Sequence, residues 1–197
     1  MSRSSMSLHY ARLRLGEKTH FTCLRCGQCC TRGPNVGLTA YDVHRIARYL
    51  GVDWRELKGK YVVAVIADMV AVPTLRGTID GKCVFLEYLD GTPSCRIYPA
   101  RPMRCRLYPF MPYSPGNTET IYLDTCCPGL NTEKEAEPPW KCLKEYYVEA
   151  KRHYAKLYHL VFQEGCEPLE ALEKTIEDCA GEAQQTPTVK TFKTRQL

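Results

Sequence analysis

The residues best suited to chemistry are four cysteines within eight positions near the start of the chain: Cys23, Cys26, Cys29 and Cys30. A Cys-x-x-Cys turn lets two thiolates point at one metal ion, because its backbone amides fold back toward the sulfurs, and a second x-x step adds a third ligand. Gly27 permits the tight backbone between the pairs. Thiolates held this close repel one another unless a cation neutralises them. Metal binding therefore explains the run better than its alternative, redox disulfide chemistry.

The adjacent pair Cys29-Cys30 indicates more than one metal site. Side chains of neighbouring residues diverge, so one thiolate at each of two neighbouring sites is the simpler geometry. Further thiols lie among short strands and proline-rich loops, and each has an alternative role as a small buried hydrophobic residue. These further candidate ligands are Cys83, Cys95, Cys105 and one of Cys126 and Cys127, of which we favour Cys127 because Pro128-Gly129 follows it.

The remaining cysteines and most histidines have simpler explanations as core, loop or surface residues. Three cysteines in the C-terminal third are not predicted ligands: Cys142, Cys166 and Cys179. Cys179 in particular lies on the apolar stripe of a predicted helix and is expected in the core. Four histidines are expected to face solvent: His20, His44, His153 and His159. The alternative for His20 and His44, which lie near the cluster, is that either replaces a cysteine ligand.

Several longer stretches resemble the CxxCxxCC cysteine-cluster family, which is described as zinc- or iron-chelating. Phe21–Cys30 (FTCLRCGQCC) and Leu38–Ala47 (LTAYDVHRIA) are similar to its first half. Its second half matches Cys83–Leu86 (CVFL), Cys95–Phe110 (CRIYPARPMRCRLYPF) and Cys127–Gly129 (CPG), so that eight cysteines match in order over residues 21–130. The family includes the longer flagellin lysine-N-methylases. The resemblance implies a metal site, and leaves open an enzyme or subunit that uses S-adenosylmethionine.

The ligand chemistry leaves two kinds of metal centre open. All-sulfur ligation suits both zinc and iron–sulfur clusters. The motif Cys-x-x-Cys-x-x-Cys is similar to the cysteine motif of bacterial ferredoxins, in which the next cysteine binds a second cluster. We therefore favour an iron–sulfur centre, including 4Fe-4S, over zinc. One arrangement gives each of two sites four ligands, with Cys23, Cys26, Cys29 and Cys127 at one and Cys30, Cys83, Cys95 and Cys105 at the other.

The charge of the chain argues against a dedicated nucleic-acid surface. The formal net charge is +5 over 197 residues, which is too weak for such a surface. Five arginines flank the candidate ligands, where they either offset the negative charge of a four-thiolate site or are solvated loop residues. They are Arg25, Arg96, Arg101, Arg104 and Arg106.

The elements that must position these thiols are helices at both ends and short strands between them. Thr39 as N-cap, with Asp42 at N3, predicts a helix that ends at Gly51. A short second helix is expected over residues 54–60, capped by Asp53. Short β-like runs follow at 61–66, 69–75, 83–88, 95–98 and 120–123, and the proline-rich segment 98–109 is expected to hold little regular structure. Apolar residues at 140, 143, 147, 150, 154, 157 and 161 predict a long helix ended by Gly165, with another from Pro168 to Gly181.

We therefore predict an α+β fold. A small, irregular, cysteine-rich β/loop core is stapled by metal and flanked by an N-terminal helix and a C-terminal helical hairpin. The predicted division is a flexible arm over residues 1–18, a single domain over 19–181 and a flexible tail over 182–197. Within that domain, 19–130 form the metal core and 138–181 the hairpin.

The start of the chain lacks an apolar signal-like segment, and the longest uncharged apolar run is Val62–Ala67, far short of the roughly 18 residues a membrane span needs. We expect a cytoplasmic, reducing location, in which thiolates bind metal rather than form disulfides. We also expect a protein partner that the sequence does not identify, and neither membrane nor nucleic acid.

Three functions remain open from the sequence. We favour a redox, sensing or metal-delivery role. The alternatives are a zinc-stapled interaction module and a lysine N-methylase-like enzyme or subunit, although no glycine-rich nucleotide loop is visible for S-adenosylmethionine. The sequence leaves open whether the chain is an enzyme.

Overall fold

The computed structural model describes residues 10–31 and 36–183. This part of the chain forms five α-helices, nine strands and two single-turn 3-10 helices. The strands are β1 (Tyr10–Arg14), β2 (Thr19–Phe21), β3 (Val62–Ala67), β4 (Val70–Leu75), β5 (Leu86–Leu89), β6 (Thr92–Cys95), β7 (Phe110–Pro112), β8 (Thr120–Asp124) and β9 (Leu130–Ala136). The helices are α1 (Gln28–Thr31), α2 (Ala40–Leu50), α3 (Met103–Leu107), α4 (Trp140–Phe162) and α5 (Pro168–Ala183). The 3-10 helices are Trp54–Leu57 and Tyr98–Ala100.

Within the described residues the strands pair into four small antiparallel sheets. Strand β8 lies between β1 and β7, β2 pairs with β9, and β3–β4 and β5–β6 are hairpins. The predicted α+β class is thus confirmed. The predicted flexible arm is wrong where β1 forms, because Ala11 and Leu13 alternate with exposed residues and pack onto a core. Residues 1–9 of that arm lie outside the described residues.

The predicted capped helix is confirmed as α2. Thr39 Oγ1 accepts a hydrogen bond from Asp42 N–H at 3.2 Å, and the Asp42 carboxylate accepts one from Thr39 N–H at 3.1 Å, which completes the capping box. Gly51 ends the helix with φ 70°. The helix buries Val43 and Ile46 in the core, as its apolar stripe requires.

The middle of the chain departs from prediction at several places, including the strands β7 and β9, which were not predicted. Residues 95–98 were predicted as a strand, but β6 ends at Cys95 and a 3-10 turn begins at Tyr98. The proline-rich segment holds α3, because Pro102 precedes the helix, where a missing N–H costs nothing, and no proline follows until Pro109. The helix predicted after Asp53 is reduced to the single 3-10 turn Trp54–Leu57, although Asp53 caps it as expected.

The predicted C-terminal hairpin is confirmed as α4 and α5. The two helices share a core through Leu157 and Ile176, and Lys156 Nζ pairs with Asp178 Oδ2 at 2.5 Å. Cys179 is buried in that core as expected. Residues 184–197 of the predicted tail lie outside the described residues. Within the described part of the chain, no helix combines the length and apolar character needed to cross a bilayer.

Two apolar cores meet at the loops that carry the cysteines. The larger core joins α2, β4, α5 and the end of α4, and Cys30, Cys95 and Cys105 pack against it. The smaller core joins β7, β8 and the start of α4, and Phe21 and Leu130 pack against it. Because Phe21 precedes the cysteine run and Leu130 follows Cys127, the packing of both cores fixes where the cysteine-bearing loops meet.

His153 is fully buried, so its predicted surface position is wrong. It falls on the core face of α4, three residues after Ala150 and four before Leu157, both of which are buried. Its Nδ1 accepts a hydrogen bond from Ala40 N–H, the first helical residue of α2, at 3.3 Å. Burial lowers the pKa of His153 to about 4, against an opposing effect of the Asp42 charge.

This burial predicts a specific loss of stability in acid. Below pH 6.5 the unfolded chain takes up a proton at His153 that the folded chain resists until about pH 4, so acid favours the unfolded state. Between pH 7 and pH 4, His153 should lower the free energy of unfolding by about 3 kcal/mol. In the variant His153→Asn, the asparagine Oδ1 can still accept a hydrogen bond from Ala40 N–H, but the side chain does not titrate. The free energy of unfolding of this variant, measured by urea titration at each pH, should therefore fall less between pH 7 and pH 4. Identical pH slopes in the two proteins would contradict the assignment.

Candidate metal centre

The N-terminal cysteine run crosses from the loop after β2 onto α1. Cys30 N–H donates to the Gly27 carbonyl oxygen at 2.8 Å and closes the turn. Gly27 has φ 69°, and a Cβ at this position would lie 2.6 Å from Pro93 Cβ of β6. The expectation that Gly27 permits a tight backbone is confirmed, and the same glycine lets the β5–β6 hairpin approach the run closely.

The adjacent thiols of Cys29 and Cys30 do not diverge, so that sequence-based expectation is wrong. Their Sγ atoms are 3.9 Å apart. Both residues lie on α1, where successive side chains are rotated by only about 100° instead of pointing to opposite faces as in a strand. Two thiolates on one tetrahedral zinc ion, with Zn–S near 2.3 Å, lie about 3.8 Å apart. The spacing of this pair is therefore compatible with a single ion.

Cys83 lies next to this pair. Cys83 N–H donates to the Cys30 carbonyl oxygen at 2.8 Å. Hydrogen bonds with Cys30 lower the pKa of Cys29 to about 6 and that of Cys83 to about 7, although burial opposes both changes. Hydrogen bonds with Cys29 and Cys83, together with burial, raise the pKa of Cys30. The lowered pKa values favour the thiolate forms of Cys29 and Cys83, and the thiolate is the form in which cysteine binds cations.

Cys95 and Cys105 belong to the same neighbourhood. Cys95 is the last residue of β6, and Cys105 lies in the middle of α3. Burial raises the pKa of both thiols, and the negative charges of Cys83 and Cys29 raise both further. The tertiary structure thus brings together cysteines from α1, β6, α3 and the loop before β5.

Cys127 faces the other part of the N-terminal run. Burial raises the pKa of its thiol, and the charges of Cys26, Cys23 and Cys29, in that order, raise it further. This neighbourhood contains the four residues that the sequence assigned to one site. Cys29 is a neighbour of both groups, because its charge also raises the pKa of Cys105.

A close backbone approach holds the Cys127 loop against β2. Thr22 N–H donates to the Gly129 carbonyl oxygen at 2.9 Å. A Cβ on Gly129 would lie 2.4 Å from the Thr22 carbonyl oxygen and 3.1 Å from Phe21 Cε2. Since the first of these is a backbone atom with little freedom to move, only glycine fits two residues after Cys127.

The neighbouring cysteines at 126 and 127 provide a matched test of this grouping. Cys126 N–H donates to Asp124 Oδ1 at 2.9 Å, whereas Cys127 has the thiols of the N-terminal run as neighbours. The metal content of Cys127→Ser should therefore be several-fold lower than that of the unaltered protein, because a serine hydroxyl does not replace a thiolate ligand. Cys126→Ser should retain it. Metal analysis of the two purified variants checks the prediction, and equal metal contents would overturn the assignment of Cys127.

Six of the eight predicted ligands line one cavity of about 740 Å³. They are Cys23, Cys29, Cys30, Cys83, Cys95 and Cys105. The β5–β6 hairpin, β7 and the end of β8 form other parts of its wall. Within the described residues, no three Cys, His, Asp or Glu side chains converge closely enough to hold one ion. The thiols therefore line a cavity and do not converge on the position of a single ion.

Asp42 fixes α3, and with it Cys105, relative to α2. Its fully buried carboxylate accepts hydrogen bonds from Met103 N–H at 3.0 Å and from Arg45 Nη2 at 2.5 Å, besides its capping bond to Thr39. Met103 is the first residue of α3. The sequence identified Asp42 as a helix cap only, because no local pattern links it to a residue 61 positions further along the chain.

The arginines that flank the cysteines divide between two roles. Arg106 donates through Nε and Nη2 to two backbone carbonyl oxygens of its own loop at 2.8 and 2.9 Å. Arg96 lies over two aromatic rings. Arg101, by contrast, contributes to the lowered pKa of Cys29 and opposes the raised pKa of Cys95. Arg101 thus offsets thiolate charge, whereas Arg106 supports the loop.

Residues that were not predicted as ligands contribute to packing instead. Cys142 packs against the smaller core and Cys166 against the larger one. His44 is half-buried rather than solvent-facing, because its Nε2 lies 2.6 Å from the Ile176 carbonyl oxygen of α5. A residue that the sequence did not single out is Asp124, which accepts a hydrogen bond from Tyr108 Oη at 3.1 Å beside the cavity.

Comparison with known proteins adds a family and a distant relative. A family model named CxxCxxCC, described as "Putative zinc- or iron-chelating domain", matches residues 22–142. The uncharacterized protein MJ0661 of Methanocaldococcus jannaschii is 36% identical over 93 residues, which are 46% of this chain and 44% of that protein. The chain thus spans less than half the length of this curated relative. No solved structure matches the chain.

Proposed function

This chain belongs to the CxxCxxCC family of zinc- or iron-chelating domains, and we propose that it holds iron–sulfur clusters through its cysteine thiolates. In this proposal Cys23, Cys26, Cys29 and Cys127 hold one cluster, and Cys30, Cys83, Cys95 and Cys105 hold the other. A bound cluster supplies one-electron redox chemistry. The proposed role is accordingly redox, sensing or metal delivery.

The observation that carries this proposal is the arrangement of the thiols around a space. Six of them line a cavity of about 740 Å³, and no three donor side chains within the described residues meet at one ion. Thiolates that bind different irons of one cluster lie farther apart than thiolates on a single ion, because the inorganic core separates them. The lowered pKa values of Cys29 and Cys83 favour the thiolate form that such a centre needs.

Zinc is the second candidate, because one observation favours it. The separation of 3.9 Å between Cys29 Sγ and Cys30 Sγ is close to the spacing of two thiolates on one tetrahedral zinc ion, about 3.8 Å. A zinc site would staple the fold without redox chemistry, since Zn²⁺ has none.

Metal and sulfide analysis of the full chain, purified without oxygen, decides between the two. Iron with acid-labile sulfide, and visible absorption that bleaches with dithionite, would support the iron–sulfur proposal. Colourless protein that holds zinc would overturn it in favour of the zinc site. Protein that binds neither metal after anaerobic reconstitution would overturn both.

A further inference from the structure

The cavity that six of the cysteines line also extends to residues that are not metal ligands. Its volume of about 740 Å³ falls within the range of roughly 300–1,000 Å³ that is typical of pockets for small organic molecules. This volume includes the space of the metal centre that the six cysteines would hold. The wall away from the cysteines includes Leu89, Met111 and Pro112, so much of the cavity has an apolar lining.

Aromatic rings form a second feature of this wall. Within the described residues five aromatic side chains line the cavity: Tyr10, Phe85, Tyr98, Tyr108 and Phe110. Rings of this kind favour a flat, apolar body by stacking or edge contacts. The aromatic surface of the cavity therefore suits a planar molecule.

Arginines without carboxylate partners add positive charge to the same cavity. Arg25, Arg101 and Arg104 line it, and within the described part of the chain no carboxylate pairs with any of them. Arg45 and Arg55 elsewhere in the chain do pair, with Glu149 and Glu177. Unpaired guanidinium groups at a cavity wall favour an anionic ligand.

The geometry of Arg101 leaves donor groups available. Its guanidinium carbon lies 3.7 Å from the centre of the Tyr98 ring, and that of Arg25 lies 4.8 Å from the same ring. Arg101 Nε donates to the Tyr98 carbonyl oxygen at 3.2 Å, and its two Nη groups have no acceptor within the described residues. Two parallel N–H donors of this kind match a carboxylate or a phosphate.

Asp124, the acidic residue of the cavity lining within the described part of the chain, does not pair with these arginines. Asp124 accepts hydrogen bonds from Tyr108 Oη at 3.1 Å and from Cys126 N–H at 2.9 Å. It is therefore engaged by its own neighbours. The remaining charge of the lining is that of the arginines and of the cysteine thiolates.

We propose that this cavity binds a planar organic anion, an aromatic or conjugated body that carries a carboxylate or phosphate group, beside the metal centre. The arginines receive the anionic group, and the aromatic side chains hold the flat body. This goes beyond the proposed metal function and does not depend on which metal binds. Its competitor is that the arginines serve only to balance the charge of the thiolates.

A pair of probes that differ only in charge tests the proposal on the unaltered, metal-loaded full chain. 2-Naphthoate is a flat aromatic carboxylate, and 2-naphthamide has the same flat body with an uncharged amide in place of the carboxylate. The anion should bind saturably at one site per chain and at least about tenfold more tightly than the neutral analogue. Equal affinities of the two probes, or an absence of saturable binding, would overturn the proposal.

Arginine variants locate the site and separate the two roles. Arg25→Gln combined with Arg104→Gln, two arginines of the cavity wall, should weaken binding of the anionic probe about tenfold while the metal content stays at that of the unaltered protein. Arg12→Gln is the matched control, because Arg12 is exposed, also lies over a tyrosine ring, at 4.8 Å, and does not line the cavity. Loss of metal together with the probe in the double variant would assign the arginines to charge balance and overturn the proposal.

Discussion

Replacement of Cys29 by serine is expected to leave the protein several-fold poorer in metal and markedly less stable. Cys29 Sγ is 3.9 Å from Cys30 Sγ, and its charge raises the pKa of Cys127 in one group and of Cys105 in the other. Cys29 therefore has neighbours in both groups of thiols. Because structural metal binding contributes on the order of 10 kcal/mol to folding, loss of the metal should also lower the thermal unfolding midpoint.

Elemental analysis and thermal unfolding of the purified variants measure this effect. Cys142→Ser is the matched control, since Cys142 is a half-buried thiol that packs against the smaller core and has no predicted ligand role. The control should retain its metal and unfold near the temperature of the unaltered protein. Normal metal content and normal unfolding in both Cys29→Ser and Cys26→Ser would contradict the ligand assignment.

Replacement of Asp42 by asparagine is expected to lower the free energy of unfolding by about 3 kcal/mol. The carboxylate is fully buried and accepts hydrogen bonds from Thr39, Met103 and Arg45. An asparagine amide removes the negative charge beside the largely buried Arg45 and offers one fewer acceptor. The bond to Met103 N–H also holds the start of α3, so we expect a lower metal content through displacement of Cys105.

Urea unfolding with a matched cap variant checks this prediction. Asp53 also forms a capping box, at the start of a 3-10 helix, but its side chain is 56% exposed. Asp53→Asn should therefore change stability by less than about 1 kcal/mol, because asparagine is an equally good cap at an exposed position. If Asp42→Asn is as mild as Asp53→Asn, then Asp42 is only a helix cap and does not position α3.

The family resemblance and the main helices could be predicted from the sequence because their signals are local. The CxxCxxCC match is confirmed over residues 22–142. The capping box of Thr39 and Asp42 lies within four residues, and α4 follows from apolar residues repeated at helical spacing. In each case the residues that determine the structure are neighbours in the chain.

Two of the predictions that failed depend on distant partners, and a third depends on a short local turn. β1 was predicted as part of a flexible arm, because five residues of alternating burial become a strand only beside β8, more than 100 positions away. His153 was predicted at the surface, because a histidine on a helix gives no sign that it meets Ala40 N–H. The convergence of Cys29 and Cys30 was missed because their separation depends on the local turn α1, which is too short to leave a periodic pattern.

The sequence by itself determined the chemistry available to this protein: eight thiols at spacings that suit metal binding, the family to which they belong, and the helices that flank them. Only the tertiary structure decided that six of these thiols surround one cavity, that Asp42 ties α3 to α2, and that unpaired arginines and aromatic rings share the cavity wall. The reason is physical. Residue type and local spacing set which groups can ionise or cap a helix, whereas a cavity exists only where distant segments are held together by the packing of two cores.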